Sequence, residues 1–250
     1  MKIPAMLCAF LALVLSHSAI GVTLNMAFNA DPISLDPHEQ LSEGTLQFSH
    51  IAFDPLLRWQ QDGQFEPRLA THWQQIGPLT TRFFLRKDVK FHTGHPLTAD
   101  DVVYTINRLK SSPDFRAMFD TIKSASVFDS TTIDIHSIHP NPLLLNIMTY
   151  VFPMDKAFYQ GHDQIIKYGD TFASRHVSGT GPFIVTQREP GTRMVLKRNP
   201  NYWDKKSTGN VDEIIFTPIR SDSTRLAALL SGDVDFIFPV SPIDIARTKK

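Results

Sequence analysis

Residues 91–109 read FHTGHPLTADDVVYTINRL. Two histidines stand three apart and two aspartates follow, so the stretch resembles chemistry more than any other in the chain. A metal pair would need a third and fourth ligand, and no supporting Glu or Cys and no HExxH spacing accompanies His92 and His95. Thr93, Gly94, His95 and Pro96 instead have the composition of a turn. Thr98 is placed as the N-cap of a helix, with Asp101 at the reciprocal position of a capping box. Asp100 and Asp101 put negative charge at the positive end of the helix dipole. Adjacent helical residues point about 100° apart, so the two carboxylates are not a facing catalytic pair. Val102, Val103, Ile106 and Leu109 recur at helical spacing and predict the buried stripe. The stretch reads as strand, turn and capped helix.

The flanking segments extend that alternation. Residues 22–28 (VTLNMAF) predict a first strand, and residues 42–53 a helix capped by Ser42, with Leu46, Ile51 and Phe53 on its apolar side. Asp62-Gly63 marks a hairpin. Residues 126–128 and 131–138 predict a strand pair in which Ile133 and Ile135 face inward and Thr132, Asp134 and His136 outward. His136 and His139 read as solvent-facing. A second hairpin turns at Glu189-Pro190-Gly191. Residues 211–219 predict a strand, and SDSTRLAALLSGDVDFIF a helix, a Gly232 stop and a strand, with Leu226, Leu229 and Leu230 inward. Ser241-Pro242 then starts a helix within the last ten residues, which suggests an incomplete chain.

Composition narrows the function. The 250 residues carry 25 basic and 25 acidic side chains, so no basic excess points to nucleic acid or to an anionic membrane surface. The first 21 residues (MKIPAMLCAFLALVLSHSAIG) have one cation, Lys2, and an apolar run shorter than the ~20 residues of a spanning helix. They are expected to be a signal peptide, cleaved after Ala19-Ile20-Gly21 or after Ser16-His17-Ser18. Cleavage removes Cys8, the only cysteine, so no disulfide is expected in the mature protein. Gly179-Thr180-Gly181-Pro182 lacks the Gly-Lys-Ser/Thr ending of a phosphate loop and predicts a tight turn entering a strand. No serine has a nucleophile-elbow setting. Trp59, Trp73 and Trp203 are expected in the core or at its rim.

Four segments together resemble one family. They are FDPLLRWQQDGQFEPRLATHW, FFLRKDVKFHTGHPLTADDVVYTINRL, SGTGPFIVTQREPGTRMVLKRNPNYW and VDEIIFTPIRSDSTRLAALLSGDVDFIF. In order and spacing they resemble the solute-binding proteins of ABC importers, peptide-binding group, over nearly the whole mature chain. The resemblance implies an α/β clamp. Residues 22–53 and 168–250 would form a discontinuous first lobe, residues 54–167 an inserted α/β domain, and the second lobe would be missing. It also implies that the opening stretch is scaffold, and that the loop after the first strand faces the ligand, through Asn29, Gln40, Leu41, Ser42 and Glu43. The acidic residue that holds a peptide's amine in such proteins lies in the second lobe, so no residue here receives that role. The implied protein is a periplasmic monomer without enzymatic activity, cofactor or bound metal. It would take a short peptide or similar solute and pass it to an inner-membrane ABC permease. Other cargoes of similar scaffolds are nickel complexes, haem, sugars and opines. From another class, a secreted hydrolase is the rival, and a 250-residue partial lobe is a third possibility.

Overall fold

The computed structural model describes residues 21–206 and 209–248; the expected signal peptide lies outside them, Gly21 apart. In chain order the elements begin with β1 (Val22–Phe28), α1 (Glu43–Ala52), β2 (Leu57–Trp59), β3 (Phe65–Pro67), β4 (Ala70–Gly77) and β5 (Thr80–Leu85). Next come α2 (Ala99–Leu109), α3 (Arg116–Phe119), β6 (Ile122–Asp129), β7 (Thr132–Ser137), α4 (Leu144–Met148), α5 (Lys156–Tyr159) and α6 (Phe172–Arg175). The last are β8 (Phe183–Glu189), β9 (Arg193–Arg198), β10 (Val211–Pro218), α7 (Asp222–Ser231), β11 (Phe236–Phe238), a 3-10 turn (Pro242–Asp244) and α8 (Ile245–Thr248). No described helix is long and apolar enough to cross a membrane.

Two main sheets result. One has the order β11-β1-β10-β9-β8, with β1 parallel to both of its neighbours and the remainder antiparallel. The other, β4-β5-β7-β6, is wholly antiparallel. The strands β2 and β3 form the small hairpin around Gly63, whose φ of 79° suits a residue without a Cβ.

Each sheet has its own core. Helix α1 lays Phe48 and Ala52, followed by Phe53, against Met26, Met194, Leu196, Ile214 and Phe216 of the mixed sheet. Leu46 and Ile51 lie only at the edge of that cluster. Helix α2 presses Val102, Ile106 and Leu109 onto Phe83, Ile133 and Ile135 of the antiparallel sheet, with Val103 half-buried. A fully buried side chain of this size contributes about 1.5–3 kcal/mol of hydrophobic stabilisation.

The capping box expected at the start of α2 forms, with Thr98 and Asp101 as its two members. The Thr98 hydroxyl lies 2.7 Å from Asp101 Oδ2, and the same oxygen accepts the Thr98 N–H at 2.8 Å. Asp101 Oδ1 accepts the Lys156 N–H at 3.0 Å, which joins the starts of α2 and α5. On α7, Leu226 is buried but Leu230 is 53 % exposed, because the helix packs on the sheet edge through a narrow stripe.

Polar side chains lock the two sheet regions together. Asp54, fully buried, accepts Arg68 Nη2 at 3.0 Å, the Tyr202 hydroxyl at 3.0 Å and Trp203 Nε1 at 2.9 Å. The Trp203 ring also carries the guanidinium groups of Arg68 and Arg86 on its face, at 4.7 and 4.2 Å. The turn of the opening stretch makes the second lock. His92 donates Nε2–H to Gly181 O at 3.1 Å, and its Nδ1 accepts the Gly179 N–H at 3.4 Å. Those bonds select the neutral imidazole, and burial lowers its pKa to about 4. His95 and Thr93 both bond Asp155, which Ser178 also reaches at 3.1 Å. Gly179 and Gly181 allow this docking. A Cβ on Gly179 would lie 2.0 Å from Ala52 O, and one on Gly181 2.5 Å from Ala52 C.

Candidate functional site: the rim at the carboxyl ends of the parallel strands

The three parallel strands end side by side. Phe28 stands in register with Pro218 on one side and Phe238 on the other. Two backbone bonds continue the pairing past the strand ends, Ile219 N–H to Phe28 O at 2.7 Å and Asn29 N–H to Phe238 O at 3.2 Å. Three segments leave this edge: residues 29–42, 219–221 and 239–241. In open sheets with parallel strands, ligands bind outside the carboxyl ends.

The segment 29–42 has little regular secondary structure but is braced along its length. Arg188 reaches Pro32 O, and Ser174 O at 3.0 Å; Ser174 O also accepts the Leu35 N–H at 3.1 Å. Asp36 forms a two-point pair with Arg108, at 2.8 and 2.5 Å, with both side chains buried. Arg108 also donates to His38 Nδ1 at 3.1 Å, so the histidine carries its proton on Nε2 and gives it to Phe152 O at 3.2 Å. Burial, and then the Arg108 charge, lower the His38 pKa to about 3. Further along, Glu39 Oε1 accepts the Tyr168 N–H at 2.8 Å, and Asp114 accepts the Leu41 N–H at 3.1 Å. The Lys167 ammonium, 2.6 Å from Asp114, holds that carboxyl below its ordinary range.

This bracing decides which predicted residues reach the surface. Asn29, Leu41 and Glu43 are exposed and Ser42 is half-buried. Ser42 caps α1, accepting the Thr45 N–H and donating to Thr45 Oγ1 at 2.9 Å. Gln40 is turned inward, 5 % exposed, with its amide against Glu39. Ile33, which sequence reasoning passed over, is 63 % exposed beside them.

A second unforeseen residue ties the other two segments. Arg225 of α7 is 1 % exposed. Its guanidinium donates to Ile219 O and Pro239 O, each at 2.8 Å, and to Asp222 at 2.6 Å. One side chain therefore fixes the exits of β10 and β11 relative to each other. The available signal was helical phase. Arg225 adjoins Leu226 and Arg108 adjoins Leu109, and a cation in a buried arc requires a buried acceptor.

The rim is a wall rather than a pocket. Beneath it lies a void of about 20 Å³ bounded by Met26, Phe28, Phe48 and Phe216. A cavity of about 570 Å³ lies instead toward the amino end of β1, beside Leu24, Tyr202 and Asp212, away from the strand ends where ligand recognition is expected. Among the described residues, no group of three or more His, Cys, Asp or Glu side chains is placed to hold a metal ion. His92 and His95 are spent on the sheet junction.

The profile of the bacterial extracellular solute-binding proteins, family 5 Middle, matches residues 64–250. The periplasmic murein peptide-binding protein of Escherichia coli is 26 % identical over 227 residues, covering 82 % of this chain and 41 % of that protein. An oligopeptide-binding protein of Bacillus subtilis, solved with a nonapeptide, superposes with a TM-score of 0.82 at 21 % identity, covering 92 % of this chain and 46 % of that one. A Campylobacter jejuni protein solved with Ni(L-His) gives a TM-score of 0.78 at 25 % identity, covering 91 % and 45 %. The chain spans about half the length of the curated relatives it matches, or less.

Proposed function

From the premise that the chain belongs to family 5 of the bacterial extracellular solute-binding proteins, a family of binders rather than enzymes, we propose that it captures a short peptide or a solute of similar size in the periplasm and delivers it to an inner-membrane ABC permease. In this reading residues 22–53 and 168–250 form one lobe and residues 54–167 an insertion into it. The ligand wall is the rim, with Asn29, Leu41, Ser42 and Glu43 presented to the solute and Gln40 serving the loop from within. The opposing wall would come from the part of the relatives' length that this chain does not span. Capture is then closure of two walls, a shift between open and closed populations driven by the solute.

The observation that carries the proposal is the braced rim itself. Its backbone is held by Arg188, Arg108 and Arg225, so little ordering remains to be done when a ligand docks. The murein-peptide relative and the nonapeptide-bound neighbour favour a peptide cargo. The Ni(L-His)-bound neighbour makes a nickel complex the rival, since such a complex brings ligands of its own. Native mass spectrometry and metal analysis of the periplasmic protein separate the two. A bound mass in the range of short peptides, with no nickel, is the expected result. Stoichiometric nickel would replace the peptide assignment with the metal-complex one.

A further inference from the structure

Strand β1 begins at Val22, and the nitrogen of Val22 already faces a carboxylate. The Val22 N–H lies 3.0 Å from Asp212 Oδ2. Asp212 Oδ1 is taken by Arg198 Nε at 3.0 Å, which orients the carboxylate and leaves Oδ2 turned to Val22. Val22 is held in place by its pairing with Val211. The preceding residue sits close to the same carboxylate: a Cβ on Gly21 would lie 3.3 Å from Asp212 Cβ, a tight contact. Val22 itself is 44 % exposed.

The sequence offers two bonds at which a leader could be cut, after Ser18 or after Gly21. A cut after Ser18 leaves Ala19, Ile20 and Gly21 ahead of the strand and Val22 an ordinary amide. A cut after Gly21, with Ala19 and Gly21 as the small residues at the third and first positions before the bond, turns the Val22 nitrogen into an ammonium. That group has three donors and a full positive charge, at a place where an oriented carboxylate oxygen waits.

We propose that the Gly21–Val22 amide is the leader cleavage bond and that the Val22 ammonium released by it docks on the Asp212 carboxylate. The step is hydrolysis by an external leader endopeptidase. Water adds its hydroxyl to the Gly21 carbonyl, the C–N bond breaks, and the amine leaves protonated at neutral pH. The proposal rests on the export part of the function above and not on the choice of cargo. The bond from Val22, followed by that from Arg198, already holds Asp212 below its ordinary range, so it is anionic when the ammonium forms.

The test is to express the full 250-residue precursor in a Gram-negative host and to determine the intact mass and first residue of the periplasmic protein. A chain beginning at Val22 is expected. A chain beginning at Ala19 overturns the proposal while leaving export standing; a retained Met1 sinks both. The α-ammonium is then titrated by pH-dependent N-terminal labelling. Its pKa should lie roughly half a unit above the usual ~7.7–8.0 and return to that range in Asp212→Asn or in about 1 M salt. A value that neither change moves removes the docking. The salt arm needs no variant, so the result does not depend on Asp212→Asn folding.

Discussion

The antiparallel sheet and the mixed sheet share one chain but are closed differently. In the antiparallel sheet, β4 pairs with β5 and β6 with β7, each through a short turn, and α2 covers one face over a continuous apolar core. In the mixed sheet, β1 waits for β10 and β11, strands about 190 and 210 residues further on. Its carboxyl edge keeps Ile33 and Leu41 exposed, with the backbone there held by the buried Arg108 and Arg225 and the half-buried Arg188. A region closed by apolar burial stores its stability in side-chain packing. A region that must leave an edge open depends on polar bracing from behind.

Four measurements sharpen that contrast. The largest effect belongs to the bracing. Asp36→Ala strands the buried Arg108 charge and should cost about 3–5 kcal/mol in urea unfolding, and the double variant with Arg108→Met should recover much of it. A double variant no more stable than the single would show that the pair is not the source. Next comes the closed core, where Ile106→Ala should cost about 2–5 kcal/mol, against less than about 0.5 kcal/mol for Leu41→Ala on the rim. Equal losses at the two sites would erase the distinction.

Acid should find the junctions before the cores. His92 and His38 are neutral in the fold, with pKa values lowered to about 4 and about 3, while the unfolded chain protonates near 6.5. The unfolded state therefore binds more protons below that pH. Stability should be full well above pH 6.5, should fall as pH drops through that value, and should be lower by on the order of 1–2 kcal/mol per histidine at pH 5. His92→Gln should flatten part of the slope, and an unchanged slope in that variant would remove His92 from the account. The smallest expected effect is at the α1 cap. Ser42→Ala should cost about 1 kcal/mol, whereas Glu43→Ala should leave the unfolding midpoint unchanged within about 0.5 kcal/mol. If Glu43→Ala also costs about 1 kcal/mol, the exposed carboxylate is part of the fold rather than free for a ligand.

Much of the scaffold was legible in the residues because it is made by neighbours. The Asp62-Gly63 and Glu189–Gly191 turns, the Ser42 cap, the α2 stripe and the Gly232 stop each rest on contacts within a few positions. The turn reading of His92-Thr93-Gly94-His95 holds for the same reason, with Gly94 at φ 94°. The loop proposed to face the ligand was placed by resemblance, and its sequence alone did not separate exposed Leu41 from buried Gln40. Those two alternate because Asp114, distant in sequence, holds the Leu41 N–H while the Gln40 side-chain amide turns in to Glu39.

By itself, then, the sequence determined several of the strands and helices, the main turns between them, the neutral charge balance and the family signature. Only the tertiary structure decided that β1 lies between β10 and β11, that Asp36 meets Arg108 and Asp54 meets Arg68, and that Arg225 joins two strand exits. The physical reason is the range of the forces that select each feature. Propensity, capping and turn chemistry act over about four residues. Parallel pairing and buried ion pairs join positions that meet only after the chain has collapsed, where the absence of water makes each unmet charge costly.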